Sequence, residues 1–221
     1  MTEWISKGKC HLCDGTFSKA EMTKHLKACK QKKDISEKSS ARTQTAKSFH
    51  LVAEGRDLPY YWMHLEVPAN ATLKVLDGFL REIWLECCGH MSAFTIGSKR
   101  YSMAPIGELD EASMKFKLEK VLQPGMKFYH EYDFGTTTDL MLKVVSEGEG
   151  KSKSIKLLAR NDPPEITCVS CSKMATQVCT ECAWEDEGWL CDQCAAKHEC
   201  DEDMFLPVVN SPRVGMCGYT G

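Results

Sequence analysis

The hydrophobic pattern changes period along the chain, and each change marks an element. From Tyr60 to Val67 it alternates, with Tyr61, Met63, Leu65 and Val67 on one face and His64 and Glu66 on the other. A period of two predicts a strand with one buried face. Phe49–Ala53 predicts a strand before it. After the turn at Pro68-Ala-Asn-Ala71, apolar residues recur at intervals of three and four: Leu73, Leu76, Leu80, Ile83, Trp84 and Cys87. That spacing predicts a helix from a cap at Thr72 to about Cys87, packed on a sheet, and it assigns Cys87 to the core. Met91–Ile96 starts a new strand. Alternation returns at Met114–Leu118 and Met126–Phe134. Thr138–Val145 is apolar and β-branched, and Ile155–Ala159 gives a last strand. Pro124-Gly125 and Gly135 punctuate these runs. Residues 49–160 therefore read as an α+β domain, one main helix on a mixed sheet.

Outside 49–160 the apolar pattern fades and cysteine takes over. The chain has thirteen cysteines, and only Cys87 and Cys88 lie in the central stretch. At the amino end, Cys10-x2-Cys13 is followed by His25-x3-Cys29. A Cys-x2-Cys knuckle sets two thiolates on one turn, while His25 and Cys29, four apart, share a helix face. Ser18 suits the helix N-cap and Glu21 completes a capping box. Phe17 and Leu26 are placed to make a small core. This is the pattern of a Cys-Cys-His-Cys zinc finger over residues 1–30. So short a chain buries too little to fold on apolar surface alone, so the metal supplies the folding energy. Residues 31–48 are polar and read as a linker.

At the carboxy end the knuckles multiply. Cys168-x2-Cys171, Cys179-x2-Cys182 and Cys191-x2-Cys194 are followed by His198, Cys200 and Cys217. Zn²⁺ takes four such ligands in a closed structural site. A cross-brace puts Cys168, Cys171, Cys191 and Cys194 on one ion. It puts Cys179, Cys182, His198 and either Cys200 or Cys217 on the other. A sequential arrangement stays open. These sites predict about three zinc ions per chain, one amino-terminal and two carboxy-terminal. The ligand spacing of residues 161–221 resembles that of the B-box and MYND modules, which generally bind proteins.

Charge separates the two ends. Residues 1–50 carry eleven Lys/Arg against five Asp/Glu, and residues 161–203 carry two against eleven. Lys19, Lys24, Lys27 and Lys30 follow the finger helix and suit phosphate contacts. The helix offers no Arg, Asn or Gln for bidentate base reading. A solvated finger that binds protein, or only caps the chain, accounts for them equally. The acidic module, with Glu185-Asp-Glu187 and Asp201-Glu-Asp203, repels phosphate and suits a basic protein partner. Trp184 and Trp189 read as either its binding surface or its core. No apolar run approaches the ~20 residues of a membrane span. Met1-Thr-Glu-Trp-Ile5 lacks a basic start and an apolar core, so no signal peptide is expected. Reduced, metal-bound cysteine then points to a cytoplasmic protein.

Two resemblances bear on the central domain. A strand pair, a turn, a helix and further strands resemble a β-grasp arrangement. Phe128-Tyr-His-Glu-Tyr-Asp-Phe-Gly135 looks like the Tyr-Asp-Phe-Gly hallmark of the plasmid pRiA4b ORF-3-like proteins, also called transposon passenger TnpR-type. Trp84 to Phe94, with His90-Met-Ser-Ala-Phe94, resembles that family's segment after its helix. The resemblance spans roughly residues 49–146. It implies a fold and a mobile-element association, not a reaction. Many members continue after the glycine with acidic, Trp and His residues, where this chain has Thr136-Thr-Thr-Asp139. No role of that missing His carries over.

The reading is thus a cytoplasmic zinc-binding adaptor, contacting nucleic acid through the finger and protein through the acidic module. The alternative is a recombinase- or resolvase-like enzyme built on His90 and His130, with His64 and Asp133 as further candidates. A polar pocket uniting His90, His130 and Asp133 favours the enzyme; a filled aromatic core favours the adaptor. A serine resolvase needs clustered arginines, and Arg56, Arg81, Arg100 and Arg160 are dispersed.

Overall fold

The computed structural model of the chain describes residues 6–37, 46–105, 111–150 and 152–221, and of residues 30–37 the backbone only. It is a sheet-rich α+β structure with few helices, in two compact units. The first comprises residues 1–79 and 91–162, the second residues 80–90 and 163–221.

The first unit begins with the hairpin β1 (Lys7–Cys10) and β2 (Thr16–Ser18), then helix α1 (Lys19–Glu37). β3 (Ala46–Gly55) and β4 (Trp62–Pro68) form a second hairpin, followed by α2 (Leu73–Leu80). β5 (Ser92–Ile96), β6 (Lys99–Ser102), β7 (Glu111–Ser113), β8 (Lys127–Tyr132), β9 (Thr138–Gly150) and β10 (Lys156–Asn161) complete it. All ten strands make one sheet in the order β2-β1-β10-β4-β3-β9-β8-β5-β6-β7. Among the described residues its one parallel pair is β6 with β7.

The expected linker is shorter than 31–48. Residues 31–37 continue α1, residues 46–48 begin β3, and residues 38–45 lie outside the described residues. Nor is the finger a free-standing module. β1 pairs antiparallel with β10, matching Gly8 to Asn161 and Cys10 to Ala159. Gly8 permits this approach, because a Cβ there would lie 2.2 Å from the Arg160 carbonyl oxygen and 2.7 Å from the Trp62 ring. The finger hairpin therefore extends the central sheet.

That extension explains why β4 is buried on both faces. Alternation predicted one exposed face. Instead Trp62 joins Cys10, Met22, Leu26, Leu158 and Ala159 in a cluster under α1, and its indole N–H donates to Ser6 Oγ at 2.9 Å. On the same strand His64 is fully buried, and its Nδ1 lies 2.9 Å from His50 Nε2 on β3. Met114–Leu118 is not a strand: a turn leads into a short 3₁₀ segment, Leu118–Lys120. Lys99–Ser102, unmarked by any clear alternation, pairs with β5 instead.

The helix starts where expected, with the Thr72 hydroxyl accepting from the Val75 N–H at 3.3 Å. It does not continue as an α-helix to Cys87. From Arg81 to Leu85 it widens into a π-helical turn, and Trp84 and Leu85 are the buried residues. Among the described residues no helix is long and apolar enough to cross a membrane.

The second unit contains a small sheet of β11 (Gln177–Cys179), β12 (Trp189–Leu190) and β13 (Phe205–Pro207), with β11 central. A short helix, α3 (Asp192–Ala195), follows β12. Gly188 sits where a Cβ would come 2.5 Å from the Cys179 carbonyl oxygen, so only glycine fits there.

Candidate metal centres

The finger group is set by β1 and α1. Cys10 ends β1, and Cys13 follows on the tight turn closed by Asp14 N–H to Cys10 O at 2.8 Å. α1 carries His25 and Cys29 one turn apart. Its start is fixed by the capping box: Ser18 N–H donates to Glu21 Oε2 at 3.1 Å, and Glu21 N–H to Ser18 Oγ at 3.4 Å. Phe17 stacks on the His25 ring at 3.8 Å and orients it. Cys13 Sγ and His25 Nε2 are 3.3 Å apart.

The knuckles of the second unit gather in two interleaved sets. Cys168, Cys171, Cys191 and Cys194 form one; Cys179, Cys182, His198 and Cys200 form the other. In the first, Cys171 Sγ lies 3.6 Å from Cys191 Sγ. In the second, Cys182 Sγ lies 3.3 Å from His198 Nε2 and 3.8 Å from Cys200 Sγ. Cys200, not Cys217, is thus the residue beside His198.

Cys217 belongs elsewhere. It meets Cys87, Cys88 and His90 in a fourth group, all within the second unit. His90 Nε2 lies 3.2 Å from Cys217 Sγ. Cys87 is therefore no plain core residue. Sequence reasoning missed this group because its parts lie more than a hundred residues apart and no repeated knuckle announces them. The signal available was Cys87-Cys88-x-His90 at a predicted helix end.

In each group the four ligand atoms all lie within 4.8 Å of one another, and all thirteen cysteines are free thiols. A disulfide needs sulfurs about 2.0 Å apart, so the spacings are not those of bridges. They suit a metal: Zn–S of about 2.3 Å and Zn–N of about 2.0 Å put tetrahedral corners roughly 3.5–3.8 Å apart. The four clusters can therefore hold metal ions.

Electrostatics point the same way. Crowded thiols cannot all ionise without a compensating cation. In the finger, burial and then the neighbouring Cys13 push Cys29 up to about 11, while the Gly15 N–H holds Cys13 below the usual thiol range. Contact with Cys171 pushes Cys194 up to about 12, and Cys179 and Cys182 do the same to Cys200. Burial opposes ionisation of Cys168, yet hydrogen bonds from the Cys191, Ser170 and Cys171 backbone bring it down to about 6. Contact with Cys87 pushes Cys88 up to about 11. A divalent ion removes the conflict in each group, since the thiolate is the ligand form.

The remaining candidates are engaged singly. His130 is fully buried, its Nε2 2.8 Å from Asp77 Oδ1 on α2, and its ring packs 4.6 Å from Phe94. Asp133 takes a left-handed φ of 65° and its Oδ1 accepts from the Gly135 and Thr136 N–H groups, so it serves the turn between β8 and β9. Arg100 pairs with Glu111 and Glu131, and Arg56 lies over the Tyr129 ring. Of the four lysines, Lys24 and Lys27 are exposed on α1. Lys19 is held by Glu54 and by the Pro59 carbonyl, and of Lys30 only the backbone is described. Trp184 is 75% exposed, while Trp189 is half-buried in β12.

No family model matches the chain, and no curated protein matches it. Among solved structures it is similar to a protein of unknown function, MM3350, from Methanosarcina mazei Go1. The identity is 16% and the TM-score 0.47, over 53% of this chain and 70% of that one.

Proposed function

We propose that this chain is a zinc-dependent adaptor, with a phosphate-facing helix at one end and a protein-facing acidic module at the other. One observation carries the reading: each Cys/His group supplies four protein ligands. A tetrahedral ion so held keeps no open position for a substrate, which is the arrangement of a structural zinc and not a catalytic one. Zinc suits thiolate-rich tetrahedral sets better than the oxygen-preferring cations. Unbridged thiols suit the reducing cytoplasm.

The burial of His130 against Phe94 and Asp77 supports an adaptor over a rearrangement enzyme, because a filled aromatic core leaves no room for a substrate. The engaged arginines support the same choice. The Tyr132-Asp-Phe-Gly135 turn supports placing residues 49–146 with the pRiA4b ORF-3-like proteins, and through them a mobile-element association. The β3–β4 hairpin followed by α2 supports the β-grasp-like reading.

On the amino-terminal side the phosphate contacts fall to Lys24 and Lys27, since Lys19 is occupied within the fold. On the carboxy-terminal side Trp184 stands exposed beside Glu185, Asp186 and Glu187. An exposed aromatic among carboxylates is suited to a Lys- or Arg-rich segment through cation–π and ionic contacts.

The test is binding of the whole chain to mixed DNA and RNA over a series of salt concentrations. Binding should weaken steeply with salt, and Lys24→Glu with Lys27→Glu should weaken it at every concentration. Binding absent at low salt, or indifferent to these substitutions, would remove nucleic acid from the reading.

A further inference from the structure

The second unit is built from two separated stretches, residues 80–90 and 163–221. We infer that Cys87, Cys88, His90 and Cys217 bind a fourth zinc ion, and that this ion clasps the two stretches together. The inference goes beyond the three knuckle-based sites and does not depend on any partner.

The ligand set is complete. Three thiols and one imidazole lie within 4.8 Å of one another, and His90 presents Nε2 to Cys217 Sγ at 3.2 Å. Three further observations converge on the group.

The first is charge. Zn²⁺ with three thiolates and a neutral imidazole carries one net negative charge. Arg213 is fully buried, and its Nη2 donates to Cys87 Sγ at 3.4 Å. A guanidinium donating to Cys87 Sγ favours the thiolate, the ligand form, and a metal–thiolate centre of charge −1 suits a cation at that distance.

The second is backbone strain. Cys217 adopts a left-handed φ of 48°, between Gly215 at 78° and Gly218 at 69°. A side chain bearing a Cβ is strained there, and such a residue persists where its surroundings hold it. The two glycines take that conformation without strain; Cys217 takes it where its sulfur meets His90.

The third is the local helix. The π-helical turn Arg81–Leu85 ends at Glu86, whose backbone is extended, and the chain then turns at Gly89 with φ of 74°. Glu86 Oε1 accepts from the Gly89 N–H at 2.6 Å and Glu86 Oε2 from Arg81 Nε at 2.6 Å, so the turn holding Cys87, Cys88 and His90 is braced. π-turns recur at functional sites. Across from it the tail is seated, since Ser211 Oγ donates to the Trp84 carbonyl at 2.6 Å. The ion would close the remaining gap between segments far apart in sequence, where a cross-link removes the most chain entropy.

Cadmium NMR of the whole chain after zinc replacement distinguishes the ligand classes. Four resonances are expected, three from sites of three thiolates and one imidazole and one from a site of four thiolates. Cys217→Ser should remove one resonance of the imidazole-containing class only, and should speed hydrogen exchange at the Val214, Met216 and Tyr219 amides. Two imidazole-class resonances and one all-thiolate resonance in the wild type would overturn the inference, as would four that all survive Cys217→Ser. Should that variant fail to fold, the wild-type count alone decides.

Discussion

The buried cluster beneath the finger group is Cys10, Met22, Leu26, Trp62, Leu158 and Ala159, and of these six only Cys10 is a ligand. Beneath the Cys168 group the buried cluster is Cys168, Leu190 and Cys191, and two of those three are ligands. The same Cys/His chemistry therefore stands on different foundations. The finger borrows a hydrophobic core from the central sheet through β1 and β10, so a metal held there would add to packing that exists without it. The module of residues 163–221 has few apolar residues to bury, and its ligands are much of its core. In a unit that small, metal binding is folding free energy. Ligand spacing alone does not tell how much a site matters to stability; the packing around it does.

The largest effect should come from a ligand in the module. Cys191→Ser removes a sulfur that is both ligand and buried core, and should unfold β11, β12 and β13, seen as exchange of the Val178 and Cys179 amides at the rate of unstructured peptide. Cys13→Ser, at an exposed finger ligand, should loosen the α1 start while leaving the sheet amides protected. If both variants lose the same extent of structure, the contrast between the regions fails.

Next in size is Trp62→Ala. It empties the cluster on which the finger rests and should destabilise the first unit by about 3–5 kcal/mol in denaturant unfolding. Gly8→Ala should follow, at about 1–3 kcal/mol, because its Cβ has no room against β10. An unchanged midpoint for Gly8→Ala would mean that β1 is not held against β10.

A pH effect sharpens the contrast from inside the sheet. Burial first, and then the charges of His50 and Lys19, lower His64 to about 3. The unfolded chain protonates this residue near 6.5 and the folded one does not, so the unfolded state binds more protons in between. The contribution is therefore intact above about pH 6.5 and is lost as pH falls toward 3, by about 1.4 kcal/mol per pH unit. Unfolding midpoints of His64→Leu should show a shallower loss across that window than the wild type. Parallel curves would mean that His64 is not what titrates.

Much of this was legible in the sequence wherever cause and effect were local. The capping box at Ser18 and Glu21, the Thr72 cap and the knuckle pairs each depend on residues within a few positions; the structure puts the caps at hydrogen-bond distance and gathers the knuckle sulfurs into groups within 4.8 Å. The unforeseen parts depend on distant chain. β4 alternates in sequence, yet its outer face is buried as well: β10 pairs along its edge, and Trp62 on that face packs with Met22 and Leu26 of α1. Cys87 fits the apolar period of an α-helix, but the π-turn at Arg81–Leu85 adds a residue to one turn and changes which side chains face inward. Its companion Cys217 comes from the far end of the chain, where no local pattern marks it. Met114–Leu118 alternates by composition alone, and its backbone is spent on a turn that meets α2, with the Lys74 N–H donating to the Met114 carbonyl at 2.9 Å.

The most direct test strips all metal from the whole chain with a chelator and follows hydrogen exchange residue by residue. The account predicts that residues 163–221 lose protection throughout, while β3, β4, β8 and β9 keep theirs. Protection retained across 163–221 in fully metal-free protein would contradict the claim that the ligands, once joined by their ions, are the core of that region.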